Sequence, residues 1–182
     1  MTKINIPPLV NSIEEYWFND CSYLTKITIP FPVKLIGNHA FDNCLALTKI
    51  IISSSTIKLI EDYTFNEWSS LIGIIIPSFV KLIGNYSFNE CIQLTKITIP
   101  SSIKTIGSYK FSQCINLTEI TISSSVKSTK IELDAFVDCP FLNIISYQNQ
   151  EQSPVQNTKI VHKSNINIIV IGSGSVGKTS IL

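Results

Sequence analysis

The chain has 182 residues, a formal net charge of +1 and 45% apolar side chains. That apolar share excludes bulk disorder, and the near-neutral balance excludes a global field that would draw nucleic acid or membrane. All 14 basic residues are lysine, so arginine forks for base readout or bidentate phosphate clamping are excluded as well.

The N-terminus, MTKINIPPLV, lacks the apolar core and small-residue cleavage site of a signal peptide, and no apolar run approaches a membrane span. Residues 2–7 (TKINIP) already match residues 25–30 (TKITIP) at a step of 23, so the chain is expected to begin inside a repeat, without a cap. Phe then recurs at 18, 41, 65, 88, 111 and 136. Three residues after each comes Cys21, Cys44, Trp68, Cys91, Cys114 or Cys139, and six after it Leu24, Leu47, Leu71, Leu94, Leu117 or Leu142. An I-x-I follows, from Ile27/Ile29 to Ile120/Ile122, with a weaker Ile144/Ser146 at the end. A period in the range of about 20–29 residues carrying L-x-x-I-x-I predicts a leucine-rich-repeat solenoid. Leu and both Ile point inward and the residues between them point out, and one unit is too small to bury its apolar face alone.

Within a repeat the strand is followed by a turn at Pro or Ser and a second short apolar piece (Val33/Ile36, Ile57/Ile60, Val80/Ile83, Ile103/Ile106). A tight bend comes next at Gly37, Gly84 or Gly107, with Glu61 as the exception, and glycine there is expected to supply unusual dihedrals. The segment around Phe and Cys is too short for a full helix and is expected to form a short helical or 3₁₀ turn. Five Cys in one column read as buried free thiols, which fits a reducing, cytoplasmic setting. Tyr16, His39, Tyr63, Tyr86 and Tyr109 form an aromatic column expected to stack.

The outward strand positions form two further columns. Lys3, Lys26, Lys49, Gly73, Lys96 and Glu119 make one; Asn5, Thr28, Ile51, Ile75, Thr98 and Thr121 make the other. The candidate partner-binding face is Lys26, Lys49, Ile51, Ile75, Lys96 and Thr98. Charge is lost where Ile51 and Ile75 flank Gly73, so a hot spot is expected there. Titratable residues recur as column positions, which suggests no catalytic pair and no metal cluster.

The repeats fray toward residue 147, giving a solenoid over 1–146. Residues 147–164 are rich in Gln and Asn and read as a linker. Residues 165–171 (NINIIVI) read as a buried strand, and residues 172–179 (GSGSVGKT) fit the phosphate-binding G-x-x-x-x-G-K-[ST].

The 23-residue unit, I-P-x-x-V/I-K-x-I-G-x-x-x-F-x-x-C-x-x-L-T-K-I-x-I, resembles the BspA-type leucine-rich repeat. The resemblance implies a curved solenoid, mainly β, with a parallel sheet on its concave side, a role in protein or surface recognition, and no catalytic residues. The run INIIVIGSGSVGKTSIL resembles the opening of a Ras- or Rab-like small GTPase, and repeats placed before it resemble the Roco arrangement. That second resemblance implies phosphates cradled by a loop at Gly172, Gly174 and Gly177, Lys178 on the outer phosphates and Thr179 on Mg²⁺. With the sequence ending at Leu182, residues 165–182 are expected to be a truncated α/β P-loop segment without a cofactor; GTP and Mg²⁺ enter only if the domain is completed. The expected function is a non-enzymatic protein-interaction module with a protein partner and no nucleic acid. The alternative is the N-terminal part of a longer repeat–GTPase protein that binds GTP through residues 172–179.

Overall fold

The computed structural model describes residues 2–53, 56–123, 130–132, 134–147, 157–163 and 166–172. A repeat typically contributes one longer and one shorter strand; the repeat of Ile74–Ile76 contributes only a shorter one. The longer ones are β1 (Thr2–Asn5), β3 (Leu24–Ile29), β5 (Lys49–Ile52), β8 (Lys96–Pro100), β10 (Glu119–Ser123) and β12 (Ile144–Tyr147). The shorter ones are β2 (Ser12–Ile13), β4 (Leu35–Ile36), β6 (Leu59–Ile60), β7 (Leu82–Ile83), β9 (Thr105–Ile106) and β11 (Lys130–Ile131). Two strands follow, β13 (Asn157–Lys163) and β14 (Ile166–Gly172). The result is a parallel β-solenoid of about five turns.

Two ladders run along it. The longer strands pair in the orders β1-β3-β5 and β8-β10-β12-β14-β13, and the shorter ones in the orders β2-β4-β6-β7 and β9-β11. All these pairings are parallel except β13 with β14. Successive repeats lie in register, Ile27 opposite Ile50 and Ile36 opposite Ile60. The β-branched run after residue 165 forms β14, which adds to this same sheet beside β12. β13 lies inside the stretch expected to be a linker.

The alternation of the strand residues sets the core. In β3, Leu24, Ile27 and Ile29 are buried while Lys26 is exposed. Phe41, Phe65, Phe88 and Phe111 are fully buried and stack at centroid spacings of 5.1–6.1 Å, from Phe18 through to Phe136. Such a row cannot be buried by any one repeat, so stability is shared between neighbours.

The segment around Phe departs from the expected helical turn: among the described residues there is no helix. Its backbone donors point along the solenoid instead. The amides of Phe18, Phe41, Phe65, Phe88 and Phe111 donate to carbonyls of Ala40, Thr64, Ser87, Lys110 and Ala135 in the next repeat. The amides two residues to either side do the same, as with Tyr16 to Asn38 and Asp20 to Asp42. The segment bends through the left-handed region twice while it does so. Tyr16, His39, Tyr63, Tyr86 and Tyr109 accordingly have φ of 51–60°, and Asp20, Asn43, Glu67, Glu90, Gln113 and Asp138 have φ of 56–57°. Helical i→i−4 bonding would consume the donors that join the repeats.

The left-handed positions therefore fall on aromatic, acidic and amide residues rather than on the bend glycines. Glycine is needed at the bend for a different reason. A Cβ on Gly37 would lie 2.9 Å from the Glu15 amide nitrogen, and one on Gly84 would lie 2.4 Å from that of Asp62. Close approach of adjacent turns, not dihedral freedom, excludes a side chain at these two sites.

Candidate recognition face

The outer face of the longer-strand sheet carries the expected columns, and register brings their members together. Lys3, Lys26 and Lys49 stand on successive strands, Lys3 opposite Lys26 and Lys26 opposite Lys49. Lys26 and Lys49 are exposed and form no ion pair among the described residues. Lys96 differs: it faces Glu119 across the ladder and pairs with it at 2.8 Å. With the Lys96 side chain 69% exposed, that bridge is screened and weak, but it cancels the local charge.

Between these two regions the ladder is interrupted. β5 and β8 belong to separate sheets, and among the described residues the segment between them makes a single bridge, from Ile75 to Thr98 of β8. The sequence explains the break. In five repeats the two positions ahead of the I-x-I hold Thr-Lys or Thr-Glu, and in two of them the Thr hydroxyl donates to the preceding repeat, Thr48 to the Thr25 carbonyl at 3.3 Å and Thr118 to that of Thr95 at 3.1 Å. Ile72 and Gly73 occupy those positions here, so one donor is missing and the backbone is freer. The outcome is an apolar step in a polar face. Ile75 is 87% exposed, Ile72 is 64% exposed, and Ile51 is half-buried on the adjacent strand. Ile72 was not singled out by sequence; its departure from the Thr found at this position in other repeats was the available signal. Thr98 is exposed and continues the hydroxyl side of the face opposite Thr121.

Toward the bends and the shorter strands the interior is polar at selected points. The column preceding Phe contains Thr64, Ser87 and Lys110, all buried. Thr64 and Ser87 donate to carbonyls of the bend three residues earlier, at 2.8 and 2.7 Å. Lys110, only 3% exposed, reaches across to the Ile83 carbonyl. Burial pushes its ammonium down to about 8, partly offset by the Asp62 carboxylate. The aromatic column stacks as expected, from Tyr16 through His39, Tyr63 and Tyr86 to Tyr109, with centroids 4.6–5.1 Å apart. His39 also pairs with Asp42 through Nδ1 at 2.6 Å.

In the P-loop stretch, Gly172 ends β14 opposite Tyr147 and Asn157. Gly174, Gly177, Lys178 and Thr179 lie outside the described residues. No helix among the described residues is long and apolar enough to cross a membrane.

The BspA-type leucine-rich-repeat region matches the chain in six copies, over residues 1–81 and 58–178. The chain belongs to the BspA-type leucine-rich-repeat family. The second match runs through Lys178, across the stretch that resembles a P-loop. Among solved structures, a leucine-rich-repeat protein from Bacteroides ovatus is 31% identical, with a TM-score of 0.67 over 79% of this chain and 39% of its own. A leucine-rich cell surface protein from Faecalibacterium prausnitzii is 37% identical, with a TM-score of 0.67 over 69% of this chain and 33% of its own. The pneumococcal vaccine antigen PcpA shares the fold at 23% identity and a TM-score of 0.69, over 81% of this chain and 36% of its own. The chain thus spans about two fifths or less of the length of each of these three relatives. A search of curated proteins finds no significant match.

Proposed function

We propose that this chain is a non-enzymatic recognition module that holds a protein partner on the outer face of its longer-strand sheet. The observation that carries the reading is the three-part composition of that face. Lys26 and Lys49, in no ion pair among the described residues, stand on one side, exposed Ile72 and Ile75 in the middle, and the neutralised Lys96–Glu119 pair with Thr98 on the other. Apolar residues framed by charged and hydroxyl groups are the usual anatomy of a binding patch, with affinity from the centre and steering from the rim. Lys26 and Lys49 favour an acidic border on the partner. Five free thiols support a reducing, cytoplasmic setting for the encounter.

The test is affinity capture from the source cell with three baits: wild type, Lys26→Glu with Lys49→Glu and Ile75→Asp, and a control altered at exposed Gln113. A protein retained by wild type and the control but lost from the triple variant supports the reading. Identical capture by all three baits contradicts it.

A further inference from the structure

We infer that a second face of the solenoid, separate from the longer-strand sheet, is built to lie against an anionic lipid surface. Its centre is a lysine column just ahead of the shorter strands: Lys34, Lys58, Lys81 and Lys104, at the same position of four consecutive repeats and all exposed. The backbone fixes their alignment. The Lys81 amide donates to the Lys58 carbonyl at 2.8 Å, and the Lys34 amide to the Asn11 carbonyl at 2.8 Å. From Lys34 through Lys58 to Lys81 the column thus rises by one strand spacing per lysine, about 4.8 Å, and Lys104 continues it beyond the break between β7 and β9.

Like charges stacked at that interval repel one another, and among the described residues no carboxylate neutralises them. None of the four lysines is in an ion pair among the described residues, and residues 31–36, 56–60, 78–83 and 101–106 contain no carboxylate. The acids are placed elsewhere, with Asp42, Glu61, Asp62, Glu67 and Glu90 in the turn segments around Phe. A chain of net charge +1 therefore presents one strongly cationic band.

The same band is apolar at its edge. The corner turn exposes Phe31 at 61% ahead of Lys34 and, one repeat earlier ahead of Asn11, Leu9 at 87%, and Leu82 beside Lys81 is 52% exposed. Corner and column form one surface: the Lys58 ammonium lies 5.7 Å from the Phe79 ring centre, and the Lys104 ammonium donates to the Ser101 carbonyl at 2.8 Å. Lysine point charges lack the fork geometry that reads individual phosphates or bases. An even row of them bordered by exposed Leu and Phe suits a surface of diffuse negative charge with an apolar layer beneath. Anionic lipid has both.

The test is co-sedimentation of the full chain with vesicles of neutral phosphatidylcholine, with and without phosphatidylserine. Binding is expected only when phosphatidylserine is present, and it should weaken as salt rises. Each of Lys34→Ser, Lys58→Ser, Lys81→Ser and Lys104→Ser should weaken binding about fivefold. Leu9→Ser with Phe31→Ser should weaken it at unchanged charge, whereas Lys26→Ser with Lys49→Ser should leave it within about twofold. The inference is overturned by absence of binding to phosphatidylserine vesicles, equal binding to neutral vesicles, or an unaltered quadruple lysine variant. It is also overturned if soluble polyglutamate binds as well as vesicles and the Leu9/Phe31 variant is unaffected, which would make the column a polyanion site. Circular dichroism of each variant confirms that the fold is retained.

Discussion

The indole Nε1 of Trp68 donates to the carbonyl of Phe41 at 2.5 Å. Four thiols make the same contact one repeat back: Cys44 to Phe18, Cys91 to Phe65, Cys114 to Phe88 and Cys139 to Phe111, at 2.9–3.3 Å. From Cys44 to Cys139 the column is thus one of donors to buried carbonyls, four thiols and one indole, and size is what varies along it. Trp68→Phe should destabilise the protein by about 2–4 kcal/mol, combining lost volume with an unmet carbonyl. At Cys114, Ser should cost less than Val, although Val is the more apolar, because Ser keeps a donor to Phe88. Urea unfolding of the three variants checks this, and a Val variant as stable as the Ser variant contradicts it.

Lys110 makes stability depend on alkaline pH. Its folded value is about 8 against an ordinary 10.5, so the unfolded chain holds more protons between those limits. This group therefore adds stability as pH rises through that window and withholds it below. The full effect is roughly 3 kcal/mol. Buried thiols oppose it: burial pushes Cys44 up to about 12 from an ordinary 9.0, and burial also raises Cys114. Their contribution is complete below about pH 9 and is lost as pH rises further. The comparison that isolates Lys110 is wild type against Lys110→Ser, which restores the hydroxyl seen at Ser87. Relative to wild type, the variant should lose roughly 3 kcal/mol between pH 8 and pH 10.5. A difference that stays constant with pH would refute the assignment.

The thiols also make a kinetic prediction. Cys21 is only partly buried, whereas Cys44, Cys91, Cys114 and Cys139 are buried. Titration with a thiol reagent at pH 8 should modify Cys21 first in the native protein. The other four should react only as fast as the chain opens. Rapid modification of all five without denaturant would contradict the packing described.

The order of the repeats was legible in the sequence because inward-facing residues must recur once per turn. Phe88, Cys91, Leu94 and Ile97 are all buried as their spacing predicts. The path of the chain between strands was not legible, because Tyr, Glu and Gln carry no mark of a left-handed backbone as glycine does. Side-chain chemistry also hid why Trp replaces Cys at 68, since the shared property is a donor rather than a volume. On the outer face, Gly73 signalled the loss of charge, while the broken ladder beside it was not legible from Ile72 alone.

Left-handed backbone at Gln113 should be relieved by glycine. Its φ is 57° and its side chain is exposed. Gln113→Gly should raise stability by about 0.5–1 kcal/mol, whereas β-branched Gln113→Val should lower it. Thermal unfolding of both variants checks the sign, and a Val variant more stable than the Gly variant contradicts the account.

The most direct measurement of the recognition face places a photo-crosslinking amino acid at Ile75 and, separately, at Gln113, before irradiation with the source lysate. The account predicts a discrete crosslinked protein from position 75 that is absent from position 113 and disappears when Lys26→Glu and Lys49→Glu are added. Crosslinks that are equal at both positions, or that survive the charge reversals, would contradict a partner held on this face.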